Sequence, residues 1–458
     1  MSETVDWAGM RIDRSTAADL PQWRETVDAL RTSTRPRAAD ALRAAHRTGR
    51  PIAQPRCGVG GHEEMLELLR RLEPAGPGML TVTIDSYTRL KQFDRAAQAL
   101  REAPADLNGY PLTVHGWRRG RQLLDAVGVP LEVRHGSPDA RDLFAVALAA
   151  GFTSFEGGGI GYNVPYCKDV PFATSMEAWR QVDAVCGALA DDGVIVDREL
   201  FGTLTAVLVP PSISLACTLL EAIAAVREGV RCLSIAYPQG GEVHQDVAAL
   251  RSIRALAARY LPPHVAVHPV LHEFMGVFPR GRGTADALIL YGGLVARLGG
   301  ADKIINKTNQ EAYGIPDADA NALGIRTALM GTSELLDFVA LDEARIDEEM
   351  SWLQREVAEL VDPVLQDGDV PAGVAGAFAA GRLDVPFSAS VHARSLVVPA
   401  RDATGAIRYR RTGELPFSAA VRQRNDRLTD TGAGSPDRFI QAVTADINYF
   451  LTSEGVTS

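Results

Sequence analysis

From about residue 51 to residue 335 the chain alternates two kinds of hydrophobic pattern. Short runs rich in β-branched residues end in Gly, Pro, Asn or a charged residue. Longer stretches between them carry apolar residues at i, i+3, i+4 and i+7. The short runs predict strands at 51–55, 79–84, 110–114, 130–133, 152–155, 203–209, 231–236, 264–271 and 303–306. The longer ones, such as "HEEMLELLRRLE" and "SISLACTLLEAIAAVREG", predict amphipathic helices. Strand–helix alternation of this regularity implies a parallel sheet. Eight such units over about 250 residues close a (β/α)8 barrel of the TIM type, an α/β fold. Nine strand candidates leave one surplus, and periodicity does not say which. An open doubly wound sheet is the alternative, although no GxGxxG follows the first strand.

The pattern changes at both ends. Residues 1–50 read as a polar, helical lead-in, and 51–335 as the barrel. Residues 336–458 read as a C-terminal α+β appendage suited to packing or dimer contact. Within it "ARSLVVPARDATGAIRYRRTG" predicts a hairpin turning near Ala403–Gly405.

Composition narrows the class. The apolar share of 46% is that of an ordinary globular protein, which argues against disorder. The opening residues lack a basic segment followed by an apolar run, and no apolar run approaches the ~20 residues of a membrane span. Five cysteines without a CxxC pair fit reduced thiols and a cytoplasmic protein rather than a disulfide framework or a zinc site. A net charge of −10 argues against broad nucleic-acid binding, but not against a small anion held by local arginines.

In a barrel of this type the reactive groups sit where strands end. Read at those positions, the chain offers Arg56, Arg89 and Arg134, then His135, Glu156, Tyr162 and Tyr166. An arginine fork matches a carboxylate in a bidentate manner and is rarely buried alone. Asp85, Asp139 and Glu156 could neutralise these arginines one by one. For three arginines at one mouth such acids are too few, so a dicarboxylate ligand would supply the missing anions. Glu156 would then accept a hydrogen bond from an ammonium group or move a proton, which describes a small acidic amino acid as ligand. "CGVGGH" alone reads as a structural turn, and Lys307 and Glu311 as an i,i+4 pair. His272 and Glu273 lack an HExxH setting, so no metal is expected.

The motifs "AQPRCGV", "TIDSYTR", "LNGYP", "VRHGSPDAR", "EGGGIGYNVPY", "FGTLTAVLVPPS", "MGVFP" and "KTNQEAYGIP" follow one another from about residue 53 to 316. In this order they resemble the large (epsilon) subunit of adenosylcobalamin-dependent glutamate mutase, also called methylaspartate mutase. The resemblance implies a barrel whose C-terminal face meets a cobalamin carried on a separate small subunit, in a heterotetramer built on a dimer of large subunits. It implies that Arg56, Arg89 and Arg134 grip the carboxylates of L-glutamate, that His135, Tyr162 and Tyr166 line the pocket, and that Glu156 holds the ammonium. Gly58, Asn108, Pro165, Phe278, Lys307, Glu311 and Ile315 match positions that contact the coenzyme. The implied chemistry is a radical rearrangement to L-threo-3-methylaspartate, through a glycyl radical and acrylate. No histidine lies in the D-x-H-x-x-G motif by which the small subunit ligates cobalt. A non-radical barrel lyase acting on an acidic amino acid, with Glu156 as base, is the alternative.

Overall fold

A computed structural model describes residues 3–134, 136–205, 207–366, 368–429 and 436–452. The first elements are strands, not helices: β1 (Thr4–Trp7) and β2 (Met10–Asp13) pair as an antiparallel hairpin. Its apolar side chains, Trp7, Met10 and Ile12, are buried. The hairpin also hydrogen-bonds the outer barrel helices through Asp142 and Gln181. The helical reading of the lead-in holds for Trp23–Thr32 and Ala38–Thr48 but misses this hairpin, whose strands are only four residues long.

Eight strands then pair in parallel: β3 (Ile52–Pro55), β4 (Leu80–Thr83), β5 (Leu131–Arg134), β6 (Ser154–Glu156), β7 (Asp197–Leu200), β8 (Cys232–Pro238), β9 (Ala266–His272) and β10 (Lys303–Asn306). Ladder hydrogen bonds run in the order β3-β10-β9-β8-β7-β6-β5-β4. At the seam between β3 and β4 two backbone bonds bring the edges together, from Gly78 N–H to Ala53 and from Thr83 N–H to Cys57. Helices follow the strands on the outside, giving the eight-stranded, nearly closed (β/α)8 barrel that the alternation implies.

Two of the nine expected strands are absent. Residues 110–114 begin the helix Leu112–Asp125, and Tyr110 reaches the sheet only through its N–H to the Thr83 carbonyl. The described residues of 203–209 are irregular loop. The strand in that part of the barrel is β7, Asp-Arg-Glu-Leu, which a search for apolar runs passes over. Its period of two explains how it is buried. Asp197 and Glu199 face the barrel interior, while Arg198 faces the outer helices.

After the barrel come the long helix Glu343–Leu365, the helix Val370–Ala380 and an antiparallel hairpin, β11 (Val398–Arg401) with β12 (Ile407–Arg411). This hairpin turns where the sequence places it. No helix among the described residues is long and apolar enough to cross a membrane, and all five cysteines are buried and free.

Candidate active site

The barrel interior is charged. Glu132 and Arg134 on β5, Glu156 on β6, Glu199 on β7, His272 on β9 and Lys303 on β10 are all buried and meet across the barrel. Arg134 Nη1 donates to Glu132 (2.9 Å) and Glu199 (2.6 Å). Its Nη2 donates to Glu156 (2.6 Å) and to His272 Nε2 (2.9 Å). Lys303 lies beneath, 2.8 Å from Glu132 and 2.6 Å from Glu199. The carboxyls of Glu132, Glu156 and Glu199 thus outnumber Arg134 and Lys303, the two cations they touch. Burial pushes the Glu156 carboxyl up to about 7, against the pull of Arg134 and of the Tyr162 hydroxyl at 2.5 Å. Glu199 goes the other way: between Arg134 and Lys303 it is held well below the usual carboxylate range, despite its burial. Burial and Arg134 hold His272 down at about 3. Because an arginine only donates, Nε2 of this neutral ring accepts and Nδ1 carries the proton. Oxygens of Glu156 and Glu199 and a His272 nitrogen lie within 4.8 Å of one another, a spacing a metal ion could share. The Arg134 guanidinium already bonds all three.

Above this network a cavity of about 450 Å³ opens at the C-terminal end of the strands. Arg56, Thr83, Arg89, Arg134, Glu156, Tyr162, Tyr166, Phe201 and Met275 line it. Local sequence places each group. Arg89 closes the single helical turn Ser86–Arg89, whose N-cap Asp85 accepts from the N–H groups of Tyr87 and Thr88. Tyr162 lies beyond Gly157, whose φ of 141° turns the chain back over the mouth. Tyr162, Tyr166 and Phe201 stack into one aromatic wall, and Phe201 meets the His272 ring edge-on at 4.8 Å.

The arginines divide. Arg134 is saturated by three acids, two of which, Glu132 and Glu199, the reading of strand ends leaves out, so the argument from too few acids fails there. It holds at Arg56 and Arg89: among the described residues neither forms an ion pair, and the buried Arg89 Nε has no partner.

A second cavity, about 650 Å³, adjoins the first through Arg56 and Thr83. Gly58, Asn108, Glu311 and Ile315 line it together with Leu68, Gly314 and Pro316. Lys307 is buried and donates to Glu311 at 2.7 Å. Four of the seven positions matched to coenzyme contacts thus share one space, and Lys307 stands behind it. Pro165 and Phe278 line neither cavity, and Phe278 is packed in the main apolar core. His135 lies outside the described residues. Sequence reasoning passes over Glu132, Glu199, Phe201, His272, Met275 and Lys303 as site residues. His272, Phe201 and Lys303 carry a visible signal, each standing at or near the edge of a strand candidate, and Glu132 lies inside one. His272 and Glu273 point apart, and Glu273 accepts the Lys307 N–H at 2.6 Å.

The sequence has known relatives. The model of the methylaspartate mutase E chain (MutE) family matches residues 34–452. The chain is 44% identical over 383 residues to the glutamate mutase epsilon subunit of Haloarcula marismortui, covering 81% of this chain and 78% of that protein. It is 42% identical to the protein of the same name from Halobacterium salinarum, over 83% of this chain and 82% of that one. The corresponding protein of Desulfitobacterium hafniense is also 42% identical, over 82% and 80%. Identity at this level over most of both chains, on a barrel with this charged interior, places the chain in the methylaspartate mutase E chain family.

Proposed function

We propose that this chain is the large catalytic subunit of a glutamate mutase. It would convert L-glutamate to L-threo-3-methylaspartate with adenosylcobalamin held between it and a small cobalamin-binding subunit. The observation that supports this reading best is the pair of adjoining cavities. One is lined by Arg56 and Arg89, which among the described residues have no acidic partner, beside the buried Arg134–Glu156 pair. The other is lined by glycine, amide and aliphatic groups, with only Arg56 and Glu311 charged.

That second lining fits a large neutral coenzyme bearing amide groups. Gly314, with open space where a side chain would be, leaves room along one wall. Gly58, Asn108, Glu311 and Ile315 would hold it there, with Lys307 fixing Glu311. When bound, the coenzyme supplies an organic radical by homolysis of its cobalt–carbon bond.

This chain binds, orients and shields. Arg56 and Arg89 take the side-chain carboxylate of glutamate, since no acid among the described residues pairs with them. The α-amino acid end enters the Arg134–Glu156 pair: its carboxylate meets Arg134 as Glu156 turns to the ammonium, so one ion pair becomes two without net charge. A substrate held at both ends cannot separate into diffusing fragments during the rearrangement. Tyr162, Tyr166 and Phe201 exclude water from the reacting carbon atoms.

Mixing the chain with the small subunit, adenosylcobalamin and L-glutamate tests the reading. Methylaspartate should form together with cob(II)alamin absorbance. Turnover of an acidic amino acid without any cobalamin would instead establish the lyase alternative, with Glu156 as base.

A further inference from the structure

Two buried charged side chains on the outer side of the barrel wall hold the backbone around Glu156 and the turn that follows it. Arg198 points away from the interior and is fully buried. Its Nη1 donates to the Phe155 carbonyl and its Nη2 to the Gly157 carbonyl, both at 2.8 Å, so it grips the backbone on either side of Glu156. Its Nε donates to Asp183 at 2.7 Å, and its plane stacks on Trp179 at 4.5 Å. On the helix Pro211–Arg227, Glu221 is also buried. One of its oxygens accepts from the N–H groups of Ile160 (2.6 Å) and Gly161 (2.8 Å), just before Tyr162. The glycine run matches this arrangement. A Cβ on Gly158 would lie 2.3 Å from a Glu221 oxygen, and one on Gly159 would lie 2.6 Å from the Met176 sulfur.

Neither Arg198 nor Glu221 reaches the substrate cavity. A buried charge whose donors are spent on the two carbonyls flanking one carboxylate fixes that carboxylate's position. We infer that Arg198 and Glu221 are positioning residues. From behind the wall they hold backbone 155–161 so that Glu156 and Tyr162 meet at one point in the pocket, set for an ammonium group. The inference rests on Glu156 being the ammonium acceptor.

Glu221→Gln tests it with little change of shape, and Arg198→Lys keeps the charge while losing the fork. Amide hydrogen exchange on the free chain reads the clamp without any cofactor. In Glu221→Gln the amides of Ile160 and Gly161 should exchange about tenfold faster, with a melting temperature close to that of the unsubstituted protein. In the assembled enzyme KM for glutamate should rise about tenfold while kcat changes far less. Arg198→Lys should do the same, and Glu221→Gln decides alone if that variant does not fold. Unchanged exchange at Ile160 and Gly161 would overturn the inference. So would a looser loop with an unchanged KM, or a lower kcat and melting temperature at constant KM, the signature of a merely structural role. Absence of glutamate turnover in the unsubstituted enzyme would sink the functional reading instead, and the exchange result would still judge the clamp.

Discussion

Arg134 and Arg89 carry the same guanidinium fork into opposite surroundings, and the difference separates the effects of the same substitution. Arg134 balances three buried carboxylates. A lysine there keeps the charge but cannot reach all of them, and breaking buried charged pairs costs about 3 kcal/mol or more. Arg134→Lys should therefore lower both the melting temperature and glutamate affinity. Arg89 pairs with no acid among the described residues, so Arg89→Lys should leave the melting temperature nearly unchanged and, on the proposed function, raise KM about tenfold or more, the value of a lost charge-assisted hydrogen bond. Denaturation curves alongside KM values for both variants check the contrast; equal losses of stability would contradict it. Glu156 adds a pH signature. Its carboxyl, at about 7 in the folded chain against 4.5 for an ordinary glutamate, holds its proton longer when folded than when unfolded. Its contribution to stability is thus present below about 4.5 and lost as pH rises through about 7. On the proposed function activity runs the other way, because the ammonium of glutamate would need the carboxylate. The ratio kcat/KM should rise with pH up to about 7, and Glu156→Gln should both abolish most turnover and flatten that part of the stability profile.

At the scale of elements, the hydrophobic pattern reaches as far as burial is apolar. Seven of the nine strand candidates coincide with barrel strands because their outward faces pack on helices with Val, Ile, Leu and Phe. The pattern fails at β7, where charge is buried on both faces and neutralised by Asp183, Arg134 and Lys303, residues distant in sequence. It fails in the opposite sense at 110–114, whose β-rich composition serves a buried turn: Tyr110 stacks on His115 and bonds His62. The site was legible in the same measure. Residues at strand ends could be named from position alone. Their partners across the barrel could not, because pairing of Arg134 with Glu199 or His272 is a property of closure and not of spacing. The segment before Tyr110 gives a prediction of its own. A Cβ on Gly109 would stand 2.6 Å from the backbone at Ile84 and Asp85, and rigid backbone cannot give way as a side chain can. Gly109→Ala should cost about 1 to 3 kcal/mol, displace Asn108 from the second cavity and, on the proposed function, weaken coenzyme binding. A variant of normal stability and normal coenzyme affinity would show that the segment tolerates the shift.

At the scale of the whole molecule, the C-terminal mouth of the barrel carries an unusual rim. Leu90, Tyr166, Val277, Tyr313 and Ile315 stand on four different loops after β4, β6, β9 and β10, and all are exposed. Scattered apolar residues on a surface need no explanation, but several around one functional mouth mark a contact surface. A chain of net charge −10 would otherwise be expected to present charge there. On the proposed reading, this rim meets the coenzyme and the small subunit that carries it. Ile315 borders the second cavity and is nearly two-thirds exposed, at 65%, so its replacement touches assembly more than folding. Ile315→Glu should leave the melting temperature of the isolated chain unchanged, since no packed contact is lost. Burying its carboxylate without a partner in the complex should cost a few kcal/mol. Titration of the variant with the small subunit and adenosylcobalamin should then need about a hundredfold more subunit for half-maximal turnover, with kcat at saturation largely kept. Half-maximal turnover at the unsubstituted concentration would place the subunit contact elsewhere than this rim.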